Sequence, residues 1–302
     1  MEGMSKGEIL HILETARSFR EVIMRPIRIV PTLRGYSVVN MFFEPSTRTR
    51  VSFELAEKRL SCESVNFSSG GSSVSKGESL LDTVQTIEAM QVDAVVIRHS
   101  AQGAPHFLAE RIRSSVINAG DGYHEHPTQA LLDMFTLWDK IGGLSGLKVA
   151  IVGDIAHSRV ALSDIHSLKT LGAEVMLCGP KSLMPFKVES LGVKITSNLE
   201  EALEFCDVVY MLRIQLERQA GERFPSIREY RQRYCLTMER IKKFKKDDFI
   251  VMHPGPMNRG VEISAEVADS RYSLILNQVT SGVAIRMAVI YLISGGKDRG
   301  KF

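Results

Sequence analysis

A chain of 302 residues corresponds to two domains at roughly 150 residues each. Its 44% apolar and 24% charged content suits ordinary globular cores and excludes disordered and fibrous classes. Lysine and arginine number 38 against 35 acids, and the resulting +3 is too small to recognise nucleic acid or membrane by bulk charge. Cys62, Cys178, Cys206 and Cys235 form no Cys-x-x-Cys pair, so no zinc knuckle or redox motif is readable and reduced, buried thiols are expected. Glu2, Lys6, Glu8, Glu14 and Arg17 leave no apolar core for a leader, and the longest apolar run, Met287 to Ile293, is short of a bilayer. A cytosolic location is expected.

In chain order, Val38 to Phe43, Asp93 to Ile97 and Ser115 to Ala119 are short β-branched or apolar stretches separated by segments of helical period. A second set has the same rhythm: Lys148 to Val152, Glu174 to Cys178, Val193 to Thr196, Asp207 to Leu212, Phe249 to Met252 and Leu274 to Leu276. Between them Gly142-Gly143 and Ser145-Gly146 follow the helical stretch Thr128 to Lys140 and mark a boundary. The fold class expected is therefore α/β, with two doubly wound domains, each a mostly parallel sheet flanked by helices. The first covers residues 1–140 and the second 141–280, with a C-terminal helix over about 281–302, seen in Ser281 to Ile293, returning to the first.

Ligands of open α/β sheets collect beyond the carboxyl ends of strands. The first strand runs into Glu44-Pro45-Ser46-Thr47-Arg48-Thr49-Arg50, after which Val51, Phe53, Leu55, Ala56 and Leu60 continue as a helix. Backbone N–H groups, the hydroxyls of Ser46, Thr47 and Thr49 and the Arg48 guanidinium make a dense donor set at one helix start, suited to a phosphate. Arg50 lies four residues before Glu54 and reads as a helix-surface ion pair. Neither Gly-x-x-x-x-Gly-Lys-Ser/Thr nor Gly-x-Gly-x-x-Gly follows a strand, which argues against ATP and NAD. Ser75 and Glu78 form a capping-box pattern between the Ser68 to Ser75 run and a helix over Leu80 to Ile87.

The run Phe43 to Arg50 resembles the carbamoyl-phosphate signature of the aspartate and ornithine carbamoyltransferase family. Arg98-His99-Ser100, His126-Pro127-Thr128-Gln129 and His253-Pro254-Gly255-Pro256 follow in the order that family shows. The resemblance implies that Arg98, Thr49 and His126 donate to the carbamoyl carbonyl oxygen and that Gln129, with the carbonyls of Pro254 and Gly255 beside Pro256, receives the carbamoyl amide. It also implies that Ser72 and Lys76 act in the site of a neighbouring subunit, which requires an oligomer; a lysine on a Gly/Ser loop is otherwise a solvated one. His126 precedes a proline at the first helical position, where the helix dipole favours the neutral ring.

Arg159 and Arg213, the latter followed by Gln215, stand after two strands of the second set, and two guanidiniums suit two carboxylates. Ornithine enzymes of the family carry a cysteine in the His-Pro motif and an acid-rich element, and neither is present. The acceptor expected is thus L-aspartate, giving N-carbamoyl-L-aspartate and phosphate at the entry to pyrimidines, with no metal or organic cofactor. Other readings stay open: another amine acceptor such as ornithine, or a non-catalytic two-domain anion binder. The family implies a catalytic homotrimer, and the sequence leaves open whether trimers stand alone, pair with regulatory chains or associate with a dihydroorotase. From Arg213 to Lys246 eleven basic and four acidic residues give a local +7 with few aromatics and no nucleic-acid-binding motif, which suits solvated helices and steering of dianions better than nucleic-acid binding.

Overall fold

The computed structural model describes residues 1–68, 77–214, 226–244 and 248–295. Two compact units divide it: Gly7–Phe135 with the chain from Thr280 onward, and Met1–Lys6 with Thr136–Val279.

The first unit opens with α1 (Lys6–Met24) and continues through β1 (Ser37–Phe42), α2 (Thr47–Arg59), β2 (Glu63–Ser68), α3 (Leu80–Glu88), β3 (Ala94–His99), α4 (Ala104–Ala109), β4 (Ser115–Asp121) and the start of α5 (Pro127–Ile141). All strand pairs are parallel, in the order β2-β1-β3-β4. Parallel pairing needs a crossover between neighbours, and the helices supply it. Val39, Met41, Val95 and Ile97 from β1 and β3 pack with Val84 of α3 and Leu108 of α4 in a fully apolar cluster. β3 therefore reads as a continuous apolar run from Ala94 to Ile97, whereas the run of β1 is interrupted by the buried Asn40.

The strand β2 is absent from the sequence reading. Glu-Ser-Val-Asn-Phe-Ser is polar because β2 lies at the sheet edge, where Val65 is exposed and only β1 pairs with it. The cap of α3 also differs from expectation. Ser75 lies outside the described residues, and it is Ser79 whose hydroxyl accepts from the Asp82 N–H at 3.1 Å. Glu78 accepts from the Thr83 hydroxyl at 2.9 Å.

The second unit contains β5 (Lys148–Val152), α6 (Arg159–Thr170), β6 (Glu174–Cys178), β7 (Lys194–Thr196), α7 (Leu199–Phe205), β8 (Val208–Met211), α8 (Ile227–Tyr234), α9 (Met238–Lys243), β9 (Ile250–Met252) and α10 (Ala265–Ala268). Its parallel sheet has the order β7-β6-β5-β8-β9. Val152, Val209, Met211 and Val251 from three strands pack with Leu199, Leu203, Tyr230 and Ile263.

Leu274 to Leu276 is not a strand. Backbone bonds do join Val251 to Tyr272 and Leu274 at 2.8 and 2.9 Å, but the chain turns at once into α11 (Ile275–Gly295). One bridge of strand-like pairing beside an apolar triplet produced the strand signal, while the following Asn-Gln-Val-Thr run carries helical hydrogen bonding. At 21 residues with one charge, α11 is long and apolar enough to cross a membrane, contrary to a reading that counted only uninterrupted apolar residues. In the structure 61% of its most apolar window is buried inside the protein. From Thr280 it belongs to the first unit, where Tyr291 meets Phe19 of α1 edge-on at 5.5 Å.

Candidate active site

In the first unit the chain leaves β1 toward β2 on one side and returns through β3 on the other. That reversal opens a crevice at the carboxyl ends of β1 and β3. The strand ends are tied there by the Phe43 N–H donating to the Arg98 carbonyl at 2.9 Å. Ser46 is the N-cap of α2, yet its hydroxyl makes no capping bond. The N–H groups of Thr47, Arg48 and Thr49 precede the first intrahelical bond, which runs from Arg50 to the Ser46 carbonyl at 3.2 Å. No acid occupies the first turn, so the positive end of the helix dipole is uncompensated by side chains. This is an anion receptor made of backbone, hydroxyls and the Arg48 side chain. Thr49 is buried, Thr47 and Arg48 are exposed, and Arg50 pairs with Glu54 at 3.7 Å as its spacing predicts.

Arg98, next to last in β3, has 9% of its surface exposed. Its Nη1 donates to the Ala119 carbonyl of β4 at 3.2 Å, and its Nε lies 3.5 Å from Glu44 Oε2. Two anchors thus aim a nearly buried guanidinium along the crevice. Glu44, inside the signature, was not singled out from sequence, although a carboxylate beside a dense cationic motif is the signal.

His126, also buried, caps α5, and its carbonyl accepts from Gln129 and Ala130 at 3.0 and 3.2 Å. The turn before it is organised by the fully buried Asp121, which sequence reasoning missed. Asp121 Oδ1 accepts from Asn118 Nδ2 at 2.9 Å and from the Glu125 N–H at 3.1 Å, and Oδ2 from the Gly103 N–H at 2.7 Å. One turn into α5, Gln129 Nε2 donates to both oxygens of Asp133 at 3.2 Å. A carboxylate only accepts, so the amide nitrogen must face Asp133 and the Gln129 carbonyl is left as an acceptor.

The second unit repeats the topology, with its reversal between β5 and β8. Gly153 follows β5 at φ +133, and a Cβ there would stand 2.8 Å from the Leu212 carbonyl oxygen, so only glycine lets these two strand ends approach so closely. Beyond them stand Arg159, first residue of α6, and Arg213, after β8. Arg159 is 3% exposed, so it is not a solvated surface cation. A cation buried at a helix N-terminus is disfavoured by both desolvation and the dipole, so the position requires negative charge or acceptors facing it. Beside it His157 Nδ1 meets the buried Asp154 at 2.7 Å.

Pro254, Gly255 and Pro256 follow β9 on the same edge of the sheet, and the Gly255–Pro256 peptide is cis. Their turn is held by His253. Its Nδ1 accepts from the Gly255 N–H at 2.7 Å, which leaves the ring proton on Nε2, facing Glu262 Oε1 at 3.2 Å. The Asn258 N–H donates to that same oxygen at 2.6 Å.

The structure therefore gathers Ser46, Thr47, Arg48, Thr49, Arg98, His126 and Gln129 at strand ends and helix starts of the first unit, and Arg159, Arg213 and residues 254–256 at strand ends of the second. Ser72, Lys76 and Gln215 lie outside the described residues.

Residues 1–139 match the model of the aspartate/ornithine carbamoyltransferase carbamoyl-P binding domain, and residues 145–293 that of the Asp/Orn binding domain. The chain belongs to the aspartate/ornithine carbamoyltransferase family. It is 56% identical over 297 residues to the aspartate carbamoyltransferase catalytic subunit of Cytophaga hutchinsonii, spanning 98% of this chain and 96% of that one. Against the subunit of the same description from Syntrophus aciditrophicus it is 58% identical over 298 residues, with 99% and 97% covered. Among solved structures, the catalytic subunit of M. Jannaschii aspartate transcarbamoylase superposes with a TM-score of 0.86 at 34% identity, covering 100% of this chain and 98% of that one. Aspartate transcarbamoylase from Trypanosoma cruzi, in complex with carbamoyl phosphate and aspartate, gives 0.86 at 30% identity and covers 96% and 94%.

Proposed function

We propose that this family member transfers the carbamoyl group of carbamoyl phosphate to the amine of L-aspartate, giving N-carbamoyl-L-aspartate and phosphate on the way to pyrimidines. The observation that carries the reading is the donor cluster at the β1/β3 reversal, completed by an anchored Arg98. The phosphate sits on Ser46, Thr47, Arg48 and Thr49 at the start of α2, with Ser72 and Lys76 arriving from a neighbouring subunit of a homotrimer. Arg98, Thr49 and His126 donate to the carbonyl oxygen. They polarise it in the ground state and stabilise the oxyanion once the amine has added. The Gln129 carbonyl and the carbonyls of Pro254 and Gly255, next to Pro256, accept from the carbamoyl NH2.

Arg159 and Arg213, with Gln215, hold the two carboxylates of aspartate and present its amine to the carbon, a contribution of positioning. Collapse of the tetrahedral adduct breaks the carbon–oxygen bond to phosphate, which leaves with the electron pair and takes up the proton that the amine releases. Aspartate is preferred over ornithine because the second unit offers a buried guanidinium and a second arginine, and the relatives described above are aspartate enzymes. Four free cysteines, three of them buried, fit a reducing, cytosolic setting. Higher assembly with regulatory chains or a dihydroorotase is part of the same reading only as an association of trimers.

Phosphate release measured across amine acceptors tests it. Turnover with L-aspartate and none with L-ornithine is expected. Turnover with ornithine alone would reassign the acceptor, and saturable phosphate binding without release in the presence of any amine would remove the catalytic reading. Mixing Lys76→Ala with Arg48→Ala subunits should restore a fraction of intact sites; no recovery would place the whole site in one chain.

A further inference from the structure

The mechanism uses the carbonyls of Pro254 and Gly255 and gives no part to the two buried side chains that tie their turn, His253 and Glu262. The backbone is anchored at both residues. The His253 N–H donates to Gln278 Oε1 of α11 at 3.0 Å, and the Glu262 carbonyl accepts from the Leu236 N–H at 2.9 Å. Between these anchors the His253 ring bridges the turn: Nδ1 meets the Gly255 N–H at 2.7 Å, and Nε2 faces Glu262 Oε1 at 3.2 Å. A backbone N–H only donates, so Nδ1 carries no proton and the ring proton is on Nε2. Glu262 Oε1 is therefore an acceptor whatever the charge of its carboxyl, and it accepts from the Asn258 N–H at 2.6 Å as well. The other oxygen, Oε2, meets no donor among the described residues.

We infer that Glu262 is a positioning residue that aims the Pro254 carbonyl: its Oε1 keeps the His253 proton on Nε2, and the bare Nδ1 then holds the Gly255 N–H. The Pro254–Gly255 peptide is trans, and in a trans peptide the N–H and the C=O point in opposite directions. An N–H held on the ring therefore turns the Pro254 carbonyl away from the ring. With the proton on Nδ1 two donors would oppose each other, and the peptide would turn over to present its carbonyl to the imidazole. The inference rests on the function proposed above, in which that carbonyl accepts from the carbamoyl NH2. Glu262 thus acts through two links, the His253 ring and the Gly255 peptide, and its own backbone bond to Leu236 keeps the acceptor in place.

The test compares Glu262→Gln with Glu262→Leu. The glutamine carbonyl still accepts from both donors, with its NH2 in the place of Oε2, where no donor is displaced. Leucine offers no acceptor, so a proton on Nε2 would be buried unpaired and moves to Nδ1. Glu262→Leu is expected to lower kcat/KM for carbamoyl phosphate by about 100-fold, the size of effect expected from misplacing one contact, whereas Glu262→Gln should stay near the parent. Inorganic phosphate, which does not use Pro254, should bind to both variants as to the parent. The 15N signals of the His253 ring should report a proton on Nε2 in the parent and in Glu262→Gln, and on Nδ1 in Glu262→Leu. Parent kcat/KM in Glu262→Leu, an equal loss in Glu262→Gln, the parent tautomer in an impaired Glu262→Leu, or loss of phosphate affinity in step with activity would each overturn the inference. If Glu262→Leu does not fold, the other two proteins decide: a ring proton on Nδ1 in the parent, or a large loss of activity in Glu262→Gln, refutes it. Should the parent protein show no carbamoyl transfer, the proposed function fails by itself, and the ring signals of His253 with the amide signal of Gly255 still decide whether Glu262 sets the tautomer.

Discussion

In the sheet β2-β1-β3-β4 the reversal between β1 and β3 is furnished with a helix N-terminus, three hydroxyl residues and an arginine tethered at both ends, whereas in β7-β6-β5-β8-β9 the reversal between β5 and β8 is furnished chiefly with arginines. The topology is shared and the chemistry is not. A tetrahedral phosphate takes donors from many directions, which backbone N–H groups and hydroxyls supply. Planar carboxylates match the fork of a guanidinium. The comparison teaches that the strand reversal chooses where a ligand sits, and the first residues after each strand choose which one.

The largest effect expected lies in the first unit. Arg98→Ala and His126→Ala should each lower kcat by 100-fold or more, roughly 3 kcal/mol of transition-state stabilisation, in steady-state phosphate release. Unchanged kinetics in Arg98→Ala would break the assignment of the β1/β3 crevice.

A second difference sharpens the contrast through pH. Glu57, buried in the first unit, accepts from Asn40 Nδ2 at 2.9 Å and from the Ser64 hydroxyl, and burial raises its pKa from 4.5 to about 7. The folded state therefore holds a proton that the unfolded chain has released. This contribution to stability is complete below pH 4.5, fades as pH climbs to about 7 and is flat beyond, amounting to about 3 kcal/mol at most. Urea unfolding at pH 5 and pH 8 should show this decline in the parent protein and not in Glu57→Gln; equal slopes would refute it.

Arg213→Ala should act on the second unit alone. It should raise the KM for aspartate by about 2 kcal/mol worth of binding, the scale of one charge-assisted bond, with the KM for carbamoyl phosphate unchanged. A loss in kcat with no change in the aspartate KM would contradict a carboxylate-binding role. The smallest effect belongs to Arg50→Ala, since the pair of the exposed Arg50 with the half-buried Glu54 is worth at most about 0.5 kcal/mol in thermal unfolding. A large loss of activity there would mean that Arg50, and not only its neighbours, reaches the phosphate.

The order of strands and helices, the N-cap position of Ser46, the proline start of α5 and the placement of Arg159 and Arg213 after strands follow from local pattern: apolar runs for central parallel strands, and capping and turn residues at their ends. The edge strand β2 escaped that reading because an exposed strand carries no apolar signal, and Leu274 to Leu276 imitated a strand because three apolar residues are too few to distinguish one from a helix start.

The amino-acid sequence by itself determined the α/β class, the strand ends that carry chemistry and the residue types placed there, since each depends on neighbours within a few positions. Only the tertiary structure decided how those residues are aimed. Arg98 is held by Ala119, His253 by Glu262, and Arg286 reaches Ser52 across 234 positions of chain. Such partners are brought together by packing of the sheet and its helices, and a side chain's direction and the polarity of its donor and acceptor atoms belong to that packing rather than to local sequence.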